Sequence, residues 1–339
     1  MSTRVRFVPT LGLALSLLAA LASAAEPTAR VEKVYGYDQA IVLTRGNARA
    51  VLCPQVGGRV LEFSVDGRES MYVHDADKAW RPGGPVKLTA GRFDYGPELV
   101  TPPHPMLRTG EWSGEITGPY SARLTSVRDE EAGIQLVRDF ELVEDAGGDA
   151  NIPVQLICQQ TIHNIASEIQ EVCHWGRSFS PGGGICLVPL GDRPSRYPSK
   201  YCMYEEDAII NVDNTDELIR ERDGFIEILA PPRKPMLGFD SMAGWFAYVM
   251  PNDTLFVKRF KTYPDRVYNE PAGMTVVVWY PTDGRIELEP IGPRERLQPG
   301  ESASFAEHWW VFQFPYPEEG EQVDLDALTE LVMSRTSAP

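Results

Sequence analysis

The sequence is short of positive charge and has no long apolar segment after its first residues. Its 32 lysines and arginines stand against 48 aspartates and glutamates, which gives a formal net charge of −16. A surface this acidic argues against nucleic acid and anionic membranes as partners, because both are densely negative. The composition instead favours a solvated protein with a neutral ligand.

Motifs for several common chemistries are also missing. The sequence has no glycine-rich nucleotide loop, no nucleophile elbow and no His, Cys or Asp cluster at metal-ligand spacing. We therefore expect neither a metal nor an organic cofactor. The five cysteines are an odd number, and a chain of this size needs no disulfide to build a core. Isolated buried thiols are expected, with at most one bridge among Cys158, Cys173, Cys186 and Cys202.

The N-terminus has the pattern of an export signal. Arg4 and Arg6 precede an apolar run at residues 11–21, and the small residues Ala22-Ser23-Ala24 form a cleavage site. The run is too short to anchor the chain in a bilayer. We expect residues 1–24 to be a signal peptide and the mature protein to be periplasmic or secreted, without a membrane anchor.

Short alternating runs dominate the remaining sequence, and long helical patterns are scarce. Strand side chains alternate between two faces, and Gly, Pro and Asn separate the runs at near-regular spacing. This pattern predicts an all-β fold, a large antiparallel β-sandwich with few short helices, over residues 25–315. Residues 316–339 form a tail in which Asp324 could cap a short helix.

Two long segments do not show this pattern. Residues 78–112 and 181–207 are rich in Pro and Gly, yet they hold many aromatic side chains. Irregular segments of this length in compact domains are usually functional or disordered, and the aromatic content argues against disorder. Both could form the walls of a cleft.

The pair Glu287 and Glu289 is the first candidate for chemistry. The two residues lie two apart in a predicted strand, so both carboxylates point to one face. They could simply face solvent at a strand edge. Alternatively, one of them is a general base whose pKa is raised by burial.

Two further segments carry polar side chains suited to a sugar site. In residues 102–112 the prolines predict an extended loop rather than a helix, displaying His104, Arg108 and Trp112. His174, before Trp175, lies where a strand would meet a glycine-rich loop, and histidine transfers protons well near neutral pH. Each segment could instead have a structural role: Arg108 could pair with one of the many acids, and His174 could be a buried structural histidine.

The order of these motifs resembles the galactose mutarotase-like superfamily, which includes aldose 1-epimerases and glucose-6-phosphate 1-epimerases. The matching motifs lie within residues 48–312. The first two are the Gly57-Gly58-Arg59 turn and the segment His104-Pro105-Met106-Leu107-Arg108 with Trp112. The others are residues 164–179, and Glu289-Pro290 with the following loop Leu297-Gln298-Pro299-Gly300-Glu301. Pro105, Met106 and Trp175 depart from the family pattern. These departures indicate an uncharacterised branch.

The resemblance implies a sandwich fold and a sugar-isomerising site that needs no cofactor. In it Glu289 would take the proton of the anomeric hydroxyl and His174 would protonate the ring oxygen. Substrate-binding roles would fall to His104, Arg108, Trp112, Trp175, Glu287 and Asp240. A non-catalytic carbohydrate-binding protein that uses the same cleft is the alternative, and polysaccharide cleavage is a third. The sugar and the oligomeric state stay open.

Overall fold

Two antiparallel sheets face each other across one core, which confirms the predicted all-β sandwich. The computed structural model describes residues 28–144, 154–205 and 209–337. The predicted signal peptide lies outside these residues. Among the described helices, none is long and apolar enough to cross a membrane.

The first sheet, called the large sheet here, has 13 strands. Its main path runs β1-β2-β3-β4-β6-β11-β21-β20-β17-β13-β14, with β5 beside β4 and β22 beside β11. Its strands are β1 (Ala29–Val34), β2 (Tyr37–Arg45), β3 (Ala48–Cys53), β4 (Arg59–Val65), β5 (Arg68–Glu69), β6 (Gly91–Gly96), β11 (Gln170–Pro181), β13 (Cys202–Tyr204), β14 (Ile210–Asn211), β17 (Met236–Phe239), β20 (Val276–Trp279), β21 (Arg285–Pro290) and β22 (Glu295–Leu297).

The second sheet, called the small sheet here, has 10 strands in the order β15-β16-β12-β18-β19-β23-β10-β9-β8-β7. Its strands are β7 (Ser113–Gly118), β8 (Ser121–Thr125), β9 (Ile134–Val143), β10 (Gln155–Asn164), β12 (Ile185–Pro189), β15 (Ile219–Arg222), β16 (Phe225–Ile228), β18 (Trp245–Met250), β19 (Thr254–Phe260) and β23 (Ser302–Gln313).

The main core fills the space between the two sheets. Leu288 of the large sheet and Trp309 of the small sheet belong to one buried cluster, and Phe93 stacks on Trp309 at a centroid distance of 5.9 Å. Because strand side chains alternate, the neighbours of Leu288, Glu287 and Glu289, point to the opposite face of the large sheet. The predicted shared face of these two carboxylates is therefore present, and it lies away from the core.

A buried arginine in this core ties the two sheets together. Arg138 of β9 donates hydrogen bonds to the backbone carbonyls of Gly57, Gly58 and Phe93. Its Nε also donates to Gln160, whose amide nitrogen donates to the Asp94 carbonyl at 2.6 Å. The small sheet thus holds the backbone of β6 through side chains that cross the core.

The helices are short and lie at the edges of the sandwich. They are α1 (Asp75–Lys78), α2 (Pro105–Thr109) and α3 (Leu325–Arg335), with a 3₁₀ turn at Pro271–Gly273. The predicted extended loop around His104 is wrong, because Pro105 begins α2 and proline is tolerated in the first turn of a helix. In α3, Asp324 caps the helix, and the buried Leu328 and Val332 pack on the small sheet's outer cluster.

Several strands of the large sheet were not predicted, and two of them matter for the site. β6 lies inside the segment 78–112, and β11 continues through the segment 173–181. Both are buried on both faces, so their sequences lack the alternation of apolar and polar residues that marks a half-buried strand. Both contribute to the candidate site. All five cysteines are buried and unpaired, as expected.

Candidate functional site

The candidate site lies on the face of the large sheet that points away from the core. Arg92 of β6, Arg177 of β11 and the carboxylates Glu287 and Glu289 of β21 come together there. These strands are neighbours: β11 pairs with β6 on one side and with β21 on the other. Four charged side chains on three adjacent strands are costly to bury unless they pair or line a polar site.

Glu287 is held as a carboxylate by two arginines. Its Oε1 accepts hydrogen bonds from Arg92 Nη2 at 2.7 Å and from Arg177 Nε at 3.2 Å. Burial would raise the pKa of Glu287, but the two guanidinium charges and their hydrogen bonds hold it below its usual value. Glu287 was predicted to bind substrate, yet its carboxylate already accepts hydrogen bonds from the two arginines.

Glu289 lies next to Glu287 and its arginines, but its surroundings are different. Arg177 Nε is 3.3 Å from its Oε2, but neither carboxyl oxygen accepts a hydrogen bond from the described residues. Full burial and the negative charge of Glu287 raise the pKa of Glu289 well above its usual value. Its environment therefore favours the protonated form. A protonated carboxyl donates a proton rather than accepting one, so this environment suits a general acid better than the predicted general base.

Asp94 of β6 forms the second charged centre. His104 Nε2 lies 2.7 Å from Asp94 Oδ1, and His104 Nδ1 lies 2.7 Å from the Pro102 carbonyl. Both neighbours accept hydrogen bonds, so the ring donates from both nitrogens when it is protonated. Burial opposes this charged pair, but the hydrogen bond lowers the pKa of Asp94 and raises that of His104. Arg108 Nε lies 3.4 Å from Asp94 Oδ2.

A cavity of about 160 Å³, called the Asp94 cavity here, opens between this centre and Arg177. Its wall is formed by Asp94, Tyr95, Glu98, Thr101, Pro102, Pro103, His104, Arg108, Trp175 and Arg177. Arg177 lies over the Trp175 ring, 4.9 Å from its centroid, and donates to Glu98 at the rim. The Trp175 indole N–H has no acceptor among the described residues. The cavity is therefore polar and holds buried donors without a protein partner.

Three of the predicted site residues meet at this cavity: His104, Arg108 and Trp175. Glu287 and Glu289 lie behind it, on the far side of Arg177. Glu289 is fully buried and is not part of the wall. A ligand in the cavity can reach Glu289 only if Arg177 moves.

The predicted partner of Glu289 lies on the other face of the sheet. His174 points into the core, where its ring stacks on Phe305 at 5.8 Å and its Nε2 lies 3.1 Å from the Ala303 carbonyl. Burial lowers its pKa to about 4. Residues 174 and 175 of a strand point to opposite faces, and it is Trp175 that faces the cavity. Glu289 and His174 therefore share no sugar cavity, and the predicted pairing of the two is not formed.

Trp112 and Asp240 also lie outside the cavity. The Trp112 indole packs in the core beneath Arg138, whose guanidinium carbon is 4.3 Å from the ring centroid. The indole N–H donates a hydrogen bond to the Leu107 carbonyl. Asp240 accepts hydrogen bonds from Ser195 and Arg196 and lines a separate depression of about 370 Å³. Both residues stabilise local structure.

A larger depression exists elsewhere, but it carries little chemistry. It has a volume of about 680 Å³ and lies between Thr215, Asp216, Glu217, Leu218, Pro231, Pro232 and Arg233. It is shallow, and neither an aromatic nor a histidine side chain lines it. The Asp94 cavity is smaller, but buried charged residues of the neighbouring strands β6 and β11 line it, which is the pattern of a functional site.

Sequence reasoning missed three residues that define the cavity: Asp94, Glu98 and Arg177. Asp94 lies on the strand β6 that was not predicted, and Glu98 follows it. The alternation of Arg92 and Asp94 in Arg-Phe-Asp-Tyr could have indicated a strand with one charged face. Among residues 28–144, 154–205 and 209–337, no group of three or more His, Cys, Asp or Glu side chains could hold a metal ion.

The two facing sheets define a chain with the galactose mutarotase-like fold. The sequence matches no protein-family model and no curated protein. The relationship is therefore one of structure, and sequence identities of 10–15% to solved structures of this kind show the fold alone.

Three of these solved structures come from different bacteria. A galactose mutarotase-like protein from Lactobacillus casei has 11% identity and a TM-score of 0.56, covering 80% of this chain and 100% of that one. A galactose mutarotase-like protein from Clostridium acetobutylicum has 12% identity and a TM-score of 0.54, covering 84% and 98%. A protein from Escherichia coli proposed to be an aldose 1-epimerase has 13% identity and a TM-score of 0.52, covering 80% and 98%.

Proposed function

We propose that this protein binds a monosaccharide in the Asp94 cavity. The observation that carries the proposal is the set of fixed polar groups in one small cavity: the Asp94–His104 pair, Arg177, and the unpartnered N–H of Trp175. At about 160 Å³ the cavity is well below the roughly 300 Å³ at which drug-sized pockets begin, so it suits one sugar ring or less. Similar structures are named for mutarotases and aldose epimerases, and both names refer to sugars.

A panel of monosaccharides tested by isothermal titration calorimetry examines this proposal. We expect at least one sugar to bind, and we expect Asp94→Asn to weaken it about tenfold or more, because His104 and Arg108 lose their shared anion. The matched control is Asp240→Asn, which alters a buried aspartate outside the cavity. Binding that is lost equally in both variants, or in neither, would contradict the proposed site.

Ring opening of the bound sugar is a second candidate, favoured by the burial of Glu289 beside Glu287, which raises the pKa of Glu289. In this reaction a base takes the proton of the anomeric hydroxyl, a carbonyl forms, and the bond between the anomeric carbon and the ring oxygen breaks. The ring oxygen keeps the electron pair and accepts a proton from an acid. Glu289 would be the acid, once Arg177 moves aside, and Glu98 at the rim would be the base. His174 has no part in this scheme.

Polarimetry distinguishes the two candidates. A pure α-anomer of the sugar that binds is mixed with the wild type and with Glu289→Gln, and the decay of optical rotation is followed. A general acid contributes about 10²–10⁴-fold, so catalysis predicts a loss of that size in the variant with binding retained. Equal decay for the wild type, the variant and buffer leaves sugar binding as the function.

Export remains a proposal as well. It is supported by the charged start, the apolar run at residues 11–21 and the Ala22-Ser23-Ala24 site. Mass spectrometry of the protein purified from its native host should find an N-terminus near Ala25. An intact N-terminus at Met1 in the mature protein would contradict export by cleavage.

A further inference from the structure

The Asp94 cavity gathers cationic side chains in an otherwise acidic protein. Its wall holds the guanidinium groups of Arg108 and Arg177 and the His104 ring beside the carboxylates of Asp94 and Glu98. The pair of Arg92 and Glu287 behind the wall adds no net charge. The wall is therefore far less negative than the whole chain, which has a formal charge of −16.

Glu270 is a neighbouring acid that could add negative charge to the wall. It is buried beside the rim, where its Oε2 accepts a hydrogen bond from the Glu98 backbone N–H. Burial raises its pKa to about 7, against the opposing effect of that hydrogen bond. Near neutral pH it adds only part of a negative charge.

Arg108 is the cation of the wall that makes no hydrogen bond to the described residues. Arg177 donates to Glu287 and Glu98, and His104 is fixed by Asp94 and the Pro102 carbonyl. Arg108 has only an ion pair with Asp94, at 3.4 Å, and its buried Nε has no hydrogen-bond partner. Arg108 thus has N–H donors that a ligand can use.

A second donor without a partner lies in the same wall. The Trp175 indole N–H is buried and has no acceptor among the described residues. A buried donor without a partner is destabilising unless a ligand or water accepts from it. An oxygen acceptor in the cavity would satisfy these donors.

We propose that the cavity selects a sugar that carries a carboxylate, a hexuronate, and that Arg108 binds this carboxylate. This inference rests on the proposed sugar-binding function. A planar guanidinium matches a planar carboxylate with two parallel hydrogen bonds. Asp94 and Glu98 already lie in the wall, so a singly charged carboxylate meets less repulsion there than a phosphate monoester, which carries about −1.5 to −2 at neutral pH. The acidic composition of the whole chain favoured a neutral ligand, whereas the arginines in the cavity wall favour an anionic one.

The test compares three kinds of sugar by calorimetry on the mature chain. The probes are the uronates D-galacturonate and D-glucuronate, their neutral parents D-galactose and D-glucose, and the phosphate esters of the same hexoses. We expect a uronate to bind about tenfold tighter than its neutral parent, since a charge-assisted hydrogen bond is worth about that factor or more. In Arg108→Gln this preference should disappear, so that the uronate and its neutral parent bind within about threefold of each other.

A matched control and the possible outcomes complete the test. Arg128→Gln, an exposed arginine outside the cavity, should leave the preference unchanged. Thermal unfolding of each variant reports whether the fold is intact. Neutral hexoses binding as tightly as uronates, or a preference that persists in Arg108→Gln, overturns this inference but leaves the sugar site. Tighter binding of the phosphate esters overturns the carboxylate assignment. No binding of any sugar overturns this inference and the proposed function together.

Discussion

The Asp94 carboxylate and the His104 imidazole lie 2.7 Å apart, and both side chains are buried. One residue comes from the middle of the large sheet and the other from the cap of α2, so this contact fixes the helix against the strand. It also sets the charge state of the cavity. Removing one partner of a buried pair leaves the other charge without compensation.

The first prediction concerns the stability that this pair provides. The lowered pKa of Asp94 means that its contribution is present above the unfolded value of about 3.9 and is lost as pH falls below it. The raised pKa of His104 means that its contribution is complete below about 6.5 and is lost as pH rises through the folded value. Both contributions are complete between about pH 4 and 6.5. Asp94→Asn should therefore lower the free energy of unfolding most in that range, by about 3–5 kcal/mol.

Urea unfolding across this range measures the effect. The control is Asp139→Asn, which removes the exposed partner of Arg123 and should cost no more than about 1 kcal/mol. A similar loss in the two variants, or a loss in Asp94→Asn that does not vary with pH, would speak against a buried charged pair.

The second prediction separates Glu287 from Glu289. Glu289 has a raised folded pKa, so the stability it contributes is complete below the unfolded value of about 4.3 and falls as pH rises toward the folded value. Glu289→Gln should make the protein more stable than the wild type at about pH 8. Glu287→Gln should instead destabilise it by about 3–5 kcal/mol, because Arg92 and Arg177 lose their shared carboxylate.

Denaturant unfolding at about pH 5 and 8 compares these two variants, which differ by two positions on one strand. The expected signs are opposite at the higher pH. Equal destabilisation by both substitutions would mean that both carboxyls are ionised in the folded protein.

The third prediction tests the link between the core and the site. Gln160→Leu removes the acceptor of Arg138 Nε and the donor to the Asp94 carbonyl. Each buried polar group left unpaired costs about 1–3 kcal/mol, so the free energy of unfolding should fall by at least that amount. Sugar affinity should fall too, because the backbone at Asp94 loses its support. The control is Gln159→Leu on the exposed face of the same strand, with an expected effect within about 0.5 kcal/mol.

The fourth prediction concerns His174 as a core residue. Burial lowers its pKa to about 4, so the unfolded chain binds a proton more readily between about pH 6.5 and 4 and stability falls over that interval. His174→Leu should reduce this acid sensitivity and leave sugar affinity unchanged. Urea unfolding at several pH values and calorimetry with the same sugar measure both quantities. A variant that loses sugar binding while remaining folded would place His174 in the site after all.

The strand that carries Glu287 and Glu289 was predictable, while the strand that carries Asp94 was not. Residues 286–290 alternate between apolar and acidic side chains, and β21 covers Arg285–Pro290 as expected. β6 is buried on both faces by a core on one side and charged partners on the other. Its polar residues are compatible with burial only because Arg177, His104 and Glu287 come from distant parts of the chain. No local pattern encodes such compensation.

The sequence by itself determined the all-β class, the shared face of Glu287 and Glu289, and the closeness of His104 and Arg108 in the chain. These follow from alternation and from local chain order, which act over a few residues. Only the tertiary structure decided that residues 105–109 form a helix, that His174 faces the core, that Glu289 is buried beside Arg177, and that Arg108 makes no hydrogen bond to the described residues. Those outcomes depend on the register between β11 and its neighbouring strands, because a shift of one residue exchanges the two faces of a strand.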